Sequence, residues 1–334
     1  MLKGHGDDIY HYTTEIVSNF SSNIYNRQDL SALYGHLSAQ MELIHTYPEP
    51  DAASLTRMLA DQNGISVDNI CTTSGATEAI YLIAQLFRNC RTGIFIPAFS
   101  EYEDACVIHA HKLSFFQNIH ETDDGARLIW ICNPNNPDGQ THDLDALTGL
   151  VVRREDTVFV IDQSYGSFSK KQVWSIRQAV KYRNVILLHS MTKQYAIPGL
   201  RLGYITANTD IIREITKHRM PWSVNGLAVE AGKFLLKHEI NPPDMNHYLD
   251  ETARLQEALR QIPGLFVYPT DTHFFLCKLK SKNASDLKSW LVDNYGILIR
   301  DASNFRGLDE HYFRLVTRSP QENNQLVKAI RAWI

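Results

Sequence analysis

Short runs of apolar residues alternate with longer amphipathic stretches between about residue 65 and residue 206. The apolar runs lie at 69–73, 93–97, 128–132, 157–162, 185–189 and 202–206. Most are too rich in Val, Ile and Phe for half-exposed strands, which predicts strands buried on both faces. Between the first two runs, Ala79, Leu82, Ile83 and Leu86 recur at helical spacing and predict one apolar helix face. Strands that alternate with helices indicate a mainly parallel sheet covered on both sides.

The pattern changes after residue 206. Helical patterns at 211–217, 224–237 and 248–261 are interrupted by the helix-breaking Asn-Pro-Pro at 241–243. Short strands are then predicted at 265–268, 274–279 and 313–317 around a helix at 284–294. We therefore expect a large domain over 46–240 and a smaller α+β domain over 241–334. The first 45 residues lack the alternation and are expected to pack with the small domain.

Composition excludes several classes of function. The chain has 33 Lys and Arg against 37 Asp and Glu, a net charge of −4, and no long basic run, which disfavours nucleic-acid binding. Its 5 cysteines show no Cys-x-x-Cys spacing, so no zinc site or disulfide framework is predicted. There is no apolar stretch of about 18 residues and no secretory pattern at the start. A cytoplasmic protein with no metal and no membrane partner is the expectation.

Polar and aromatic residues follow several of the predicted strands, where parallel α/β sheets bind their ligands. Ser74 and Gly75 begin the first helix, which suits either an anion or an ordinary helix cap. Phe99 and Tyr102 follow the second run and either offer flat faces to an aromatic ligand or pack within their loop. Asn136 lies in Asn-Pro-Asn-Asn-Pro after the third run, where turn chemistry alone explains the prolines.

A carboxylate and an amine follow the next two strands. Asp162 ends an apolar run, where a carboxylate is costly without a positive partner, although a structural salt bridge would explain it equally well. Lys193 follows Ser190 and Thr192 and precedes a glycine-rich turn that carries Arg201. Together these residues suit a ligand with an anionic end, an aromatic ring, a ring nitrogen and an aldehyde. Pyridoxal 5′-phosphate meets all four demands.

The ordered motifs resemble those of the fold-type I pyridoxal-phosphate enzymes of the class I/II aminotransferase superfamily. The motifs are Ser-Gly-Ala-Thr-Glu, Pro-x-Phe-x-x-Tyr, Asn-Pro-Asn-Asn-Pro, Asp-x-x-Tyr, Ser-x-Thr-Lys and Gly-Leu-Arg-Leu-Gly, between residues 74 and 203. The resemblance covers nearly the whole chain. It implies an α/β fold with a mainly parallel seven-stranded sheet between helices and a smaller α+β domain. Where the family often has Glu after the aspartate, this chain has Gln163 and Ser164.

The same resemblance implies roles for the matching residues. Lys193 would react with the cofactor aldehyde and move protons at the substrate Cα, and Asp162 would keep the pyridine nitrogen protonated. Tyr165, the third expected catalytic residue, would bind the phenolic oxygen with Asn136, and Phe99 would stack on the ring. The cofactor phosphate would be held by Ser74, Gly75, Ala76, Ser190, Thr192 and Arg201.

The resemblance also implies a homodimer with shared active sites. Tyr47, in His-Thr-Tyr-Pro-Glu, matches the position whose hydroxyl reaches the cofactor phosphate of the neighbouring subunit. Arg314 matches the arginine that binds the substrate carboxylate as a bidentate pair, although a surface arginine on a strand would look the same in sequence.

The ends of the chain resemble a narrower group. Segments 4–10, 19–25 and 296–308 look like the L-threonine-O-3-phosphate decarboxylases of cobalamin synthesis, in which His5, Asn23 and Arg300 would surround the substrate phosphate. A buried structural histidine is an equal explanation of His5. The related histidinol-phosphate aminotransferases share the core motifs, so an aminotransferase is the alternative. A catalytically silent pyridoxal-phosphate-binding regulator is a third hypothesis, disfavoured because Lys193 is present.

Overall fold

The computed structural model describes residues 6–25, 28–119, 121, 125–238 and 244–334. Numbered along the chain, the strands are β1 Ser18–Asn19, β2 Ile70–Thr73, β3 Arg91–Phe95, β4 Lys112–Phe116, β5 Leu128–Cys132, β6 Val158–Asp162, β7 Val185–Ser190, β8 Gly203–Ala207, β9 Leu265–Val267, β10 Phe274–Leu279, β11 Ile297–Leu298, β12 Arg300–Asp301 and β13 Tyr312–Val316. The α-helices are α1 Ser31–Ala39, α2 Ala53–Asn63, α3 Gly75–Leu86, α4 Glu101–Ile108, α5 Leu144–Arg153, α6 Ile176–Ala179, α7 Met191–Gln194, α8 Thr209–Thr216, α9 Gly226–Lys237, α10 Met245–Arg260, α11 Ala284–Tyr295 and α12 Pro320–Trp333. Over these residues, no helix is both long and apolar enough to cross a membrane.

The large sheet has seven strands in the order β2-β8-β7-β6-β5-β3-β4. Strands β3 to β7 pair in parallel, whereas β8 runs antiparallel to both of its neighbours, β2 and β7. Strands β5 and β6 are buried at every residue, which is why their sequences are continuous apolar runs. The predicted mainly parallel seven-stranded sheet is confirmed.

The apolar runs locate six of these strands within two residues of their observed ends and miss β4. This strand, Lys-Leu-Ser-Phe-Phe, lies at the edge of the sheet and only its last residue is buried. Polar residues are tolerated on such a half-exposed edge. Apolar content alone therefore does not predict it.

A smaller antiparallel sheet has the order β12-β13-β10-β9 and packs with α10, α11 and α12. Its core is formed by side chains such as Leu255, Leu287, Phe313 and Leu326, all fully buried. This arrangement of antiparallel strands and helices is the predicted α+β unit.

The described part of the first 45 residues contacts both units. Strand β1 pairs in parallel with β11, with Ser18 opposite Ile297, and Phe20 belongs to the core of the small unit. Helix α1, in contrast, contacts α9 of the large unit. The packing of the whole segment 1–45 with the small domain stays a prediction, and the predicted boundary between 240 and 241 lies outside the described residues.

Candidate active site

A cavity of about 300 Å³ lies where the carboxyl ends of the parallel strands meet the small unit and the N-terminal segment. Strands β5, β6 and β7 contribute their last residues to it, and the first turn of α3 closes one end. This is the position at which open α/β sheets bind ligands. The predicted residues that line it are Asn23, Ala76, Phe99, Asn136, Asp162, Tyr165, Ser190, Thr192, Lys193, Arg201, Arg300 and Arg314.

Three of the predicted site residues that the structure describes do not line this cavity. Ser74 and Gly75 lie at the N-terminus of α3, directly before the lining residue Ala76. Tyr47 is 84% exposed, and its ring centroid lies 5.3 Å from that of Trp222. His5 lies outside the described residues, so its predicted contact with a substrate stays a prediction.

The Asp162 carboxylate, at the end of β6, is held by neutral donors. The Tyr102 hydroxyl donates to Oδ2 at 2.7 Å, and the Ser164 backbone N–H and hydroxyl donate to Oδ1 at 2.9 and 2.6 Å. The positive partner that the sequence predicts for this buried acid stays a prediction. Hydrogen bonds from neutral groups replace the hydration of the carboxylate, so a salt bridge is not required for its burial.

The Lys193 amine lies on the short helix α7, directly after β7. Burial, with smaller contributions from the positive charges of Arg314 and Arg201, lowers the pKa of Lys193 to about 8. The carboxylates of Asp7 and Asp162 act in the opposite direction. Near neutral pH, the unprotonated fraction of this amine is therefore larger than that of an ordinary lysine side chain. A nucleophilic amine must be unprotonated to react.

Backbone atoms of β7, β8 and α3 approach each other closely at Gly203. A Cβ at Gly203 would lie 2.7 Å from the carbonyl oxygen of His189 and 2.8 Å from the nitrogen of Ala76, so only glycine fits there. The Arg201 guanidinium lies against Gly75 at the start of α3. Thr192 Oγ1 is buried without a hydrogen-bond partner among the described residues. A helix N-terminus, a guanidinium and a free hydroxyl form a cradle for a phosphate.

The opposite wall carries two buried arginines from the small unit. Arg314 donates from Nη1 to Asn136 Oδ1 and from Nη2 to the carbonyl of Ser21 at 2.6 Å, and burial lowers its pKa to about 10. Arg300 donates to the carbonyl of Asp301 and to Asn304 Oδ1. Both side chains remain cationic at neutral pH, so this wall suits an anionic ligand.

Polar atoms on this wall also remain available for a ligand. Asn23 donates to the Tyr165 hydroxyl at 3.4 Å, while its Oδ1 has no partner within the described ranges. Arg314 Nε is likewise buried without a described partner. Buried polar groups are seldom left unsatisfied, so these atoms point to a bound polar molecule.

Tyr102, which the sequence offers with Phe99 as a flat face for a ligand, lines the cavity, but its ring stacks on Trp130 and its hydroxyl binds Asp162. Sequence reasoning missed other lining residues. Asp7, Thr77 and Phe305 also line the cavity. Asp7 and Phe305 lie in segments 4–10 and 296–308, whose resemblance to the decarboxylases was a usable signal, although neither residue lies at the end of a predicted strand.

Comparison with known proteins identifies the family. The family model described as aminotransferase class I and II matches residues 15–330. The chain belongs to this family. It is 30% identical to the threonine-phosphate decarboxylase of Salmonella typhimurium, over 94% of this chain and 90% of that protein.

Two solved structures are similar as well. One is the L-threonine-O-3-phosphate decarboxylase from Porphyromonas gingivalis, with TM-score 0.93 and 40% identity over 95% of this chain and 99% of that one. The other is the histidinol-phosphate aminotransferase from Clostridium acetobutylicum, with TM-score 0.86 and 25% identity over 95% and 99%. The predictions of a class I/II aminotransferase fold and of an enzyme in this family are confirmed.

Pyridoxal phosphate is the cofactor of this family, as predicted. The described residues fit it. The amine of Lys193 has a lowered pKa, the phosphate cradle contains the unpartnered Thr192 hydroxyl, and the flat side chain of Phe99 lines the same cavity as Asp162.

Proposed function

We propose that the chain is a decarboxylase of phosphorylated amino acids, with L-threonine O-3-phosphate as substrate, in cobalamin synthesis. The observation that carries this proposal is the pair of buried arginines, Arg300 and Arg314, in the same cavity as Lys193. A substrate with both a phosphate and a carboxylate needs two cationic partners, and guanidinium groups suit both anions. The named relatives with threonine-phosphate activity support the choice of substrate.

The wall of the cavity that carries Asp162 and Lys193, here called the cofactor wall, would bind the cofactor through a few residues. When bound, pyridoxal phosphate supplies an electron-withdrawing ring that stabilises negative charge at the substrate Cα. Lys193 would bind the cofactor covalently and, in its protonated form, deliver a proton to Cα in place of the lost carboxylate, which its lowered pKa favours. Asp162 would keep the ring nitrogen protonated. Tyr165 and Asn136 would hydrogen-bond the phenolic oxygen, and Phe99 would pack on the ring.

The phosphate of the cofactor would lie at the N-terminus of α3. The first N–H groups of this 12-residue helix have no intrahelical partner, and Ala76 and Thr77 in its first turn line the cavity. The partial positive charge of a helix N-terminus favours a phosphate. The remaining contacts would come from Ser74, Gly75, Ser190, Thr192 and Arg201.

The substrate would lie between this wall and the small unit. Arg314 would bind its carboxylate, and Arg300 and the side-chain amide N–H groups of Asn23 would bind its phosphate, because phosphate oxygens accept hydrogen bonds. A rigid pair of anion sites orients the substrate, and orientation selects which bond at Cα is broken. Loss of the carboxylate as carbon dioxide, with a proton added at Cα in its place, gives an aminopropanol phosphate.

The alternative is an aminotransferase that acts on histidinol phosphate or a similar phosphorylated amine. The similarity to the Clostridium acetobutylicum structure favours it as the second candidate. Incubation of the purified protein with each substrate separates the two. We expect carbon dioxide from threonine phosphate without formation of a 2-oxoacid, and none of this turnover in Lys193→Ala. Glutamate formation from 2-oxoglutarate and histidinol phosphate would contradict the decarboxylase.

We also propose a homodimer, in which Tyr47 of one subunit reaches the cofactor phosphate of the other. Tyr47, Met220 and Trp222 are exposed. The backbone N–H of Trp222 donates to the backbone carbonyl of Pro50, which joins the loop of Tyr47 to the loop of Met220 and Trp222. Exposed apolar patches mark interaction surfaces. Sedimentation should give twice the chain mass of 38.2 kDa, whereas a monomer would contradict this proposal. The cytoplasmic location stays a prediction from the sequence.

A further inference from the structure

Three hydrogen bonds from neutral donors hold the carboxylate of Asp162. Both donors of Ser164, its backbone N–H and its hydroxyl, go to Oδ1, and the hydroxyl of Tyr102 goes to Oδ2. An ionised carboxylate offers about four acceptor positions, two on each oxygen. The described donors therefore fill Oδ1 and leave one position on Oδ2. The orientation of the carboxylate is fixed by this asymmetry.

The donors are themselves held in place. Tyr102 is fully buried and stacks on Trp130 with 5.1 Å between ring centroids and 13° between planes. Burial and the neighbouring Asp162 charge raise the pKa of the Tyr102 hydroxyl well above its usual range, so it remains a donor throughout the working pH range. Ser164 follows Asp162 in the chain by two positions and is also buried. Neither donor is free to turn toward solvent.

We propose that Tyr102 and Ser164 are positioning residues, which hold the Asp162 carboxylate so that its remaining acceptor position on Oδ2 is reserved for the ring nitrogen of the cofactor. The inference rests on the proposed pairing of Asp162 with that nitrogen. Three donated hydrogen bonds favour the ionised carboxylate over the acid. The proton shared between carboxylate and ring therefore stays on the nitrogen, where it makes the ring a stronger electron acceptor.

Two substitutions remove one donor each with little change in shape. Tyr102→Phe keeps the ring that stacks on Trp130 and removes the hydroxyl, whereas Ser164→Ala removes the Oγ donor and keeps the backbone N–H. The readout is the ¹⁵N chemical shift of the cofactor ring nitrogen in holoenzyme reconstituted with labelled pyridoxal phosphate. In both variants we expect this shift to move toward that of unprotonated pyridine, because the carboxylate becomes more basic.

Kinetics give a second readout. A hydrogen bond to a charged group contributes enough that losing one should lower kcat roughly tenfold. KM should change much less, because substrate contacts other residues. Ser164→Thr, which keeps a hydroxyl, should restore the ¹⁵N shift and kcat. Wild-type shifts and kcat in both Tyr102→Phe and Ser164→Ala would overturn the inference.

Two controls separate this role from a general loss of stability and from an error in the proposed function. Tyr248→Phe makes the same change at a buried tyrosine of the small unit, whose hydroxyl donates to the Thr317 carbonyl at 3.0 Å. It should leave the ¹⁵N shift unchanged, and an equal movement there would count against the inference. Asp162→Asn must move the shift; if it does not, the pairing of Asp162 with the ring is wrong. If only Asp162→Asn moves it, the pairing stands and the positioning role fails.

Discussion

The two walls of the cavity are built in different ways. The wall with Asp162 and Lys193 consists of residues at the ends of adjacent strands, β6 and β7, whose register within one sheet fixes their spacing. The wall with Arg300 and Arg314 joins the small unit to the N-terminal segment, and Arg314 binds the carbonyl of Ser21, 293 positions away. The first wall depends on local strand pairing, whereas the second depends on docking of distant segments.

Buried guanidinium groups hold the second wall together. Arg318 is fully buried and donates to the carbonyls of Asn19 at 2.6 Å and Ser22 at 2.8 Å, and to that of Ile24 at 3.4 Å. Backbone carbonyls of an irregular segment need such partners when they are buried. The position of Asn23 thus depends on a residue that does not line the cavity. Because the two walls are held by different contacts, we expect that each can be disrupted without the other.

The largest effect is expected from Arg318→Met, which removes the donor to these carbonyls. Each unsatisfied buried carbonyl is costly, so the free energy of unfolding should fall by about 3 kcal/mol or more in urea denaturation. KM for the phosphorylated substrate should rise because Asn23 loses its position, while the affinity for pyridoxal phosphate should remain. Arg213→Met, at an exposed arginine, is the matched control and should change stability little. An equal loss of cofactor affinity would contradict separate walls.

Asp162→Asn should disrupt the cofactor wall alone. The amide keeps the shape of the side chain, so the fold and the thermal midpoint should be nearly unchanged. Turnover should fall on the order of 10²–10³-fold, as when a group that stabilises developing charge is removed. Steady-state kinetics with circular dichroism test this, and unchanged turnover would show that the acid has been misidentified.

The same difference explains how much of the site could be predicted from sequence. Asp162, Ser190 and Lys193 could be found because each lies at the end of an apolar run or at most four residues beyond it, and ligands bind at the carboxyl ends of parallel strands. The partners of these residues could not be found in this way. The direction of the Tyr102 hydroxyl depends on how α4 packs against β5, which the sequence does not show. Arg318 has no sequence feature that distinguishes it from a surface arginine.

The fold follows the same rule. Strands with continuous burial, such as β5, were predicted residue by residue, whereas β1, β11 and β12 are each only two residues long. Such short strands exist because their partners lie opposite them, Ser18 beside Ile297 and Arg300 beside Arg314. Their own sequences carry too few positions to show a period of two.

Arg300→Ala tests the second wall, which carries Arg300 and Arg314 and would bind the substrate. If Arg300 binds the substrate phosphate, loss of a charge-assisted pair should raise KM for threonine phosphate by roughly tenfold to a hundredfold. KM for unphosphorylated threonine should change little. Initial rates with both substrates provide the measurement, and equal effects on both would remove Arg300 from this role.

The smallest effect tests whether charge crosses from one wall to the other. Because only the unprotonated amine reacts, the pKa of about 8 for Lys193 sets the pH dependence of cofactor capture by the apoenzyme. The capture rate should increase about tenfold for each unit by which the pH is raised toward 8, and it should level off above pH 8. Arg314→Gln removes a positive charge that lowers this pKa, so the midpoint should move upward by a fraction of a unit. Arg213→Gln should leave it unchanged. An unchanged midpoint in Arg314→Gln would show that the two walls are electrostatically independent, and a wild-type midpoint near that of free lysine would contradict the lowered pKa of Lys193.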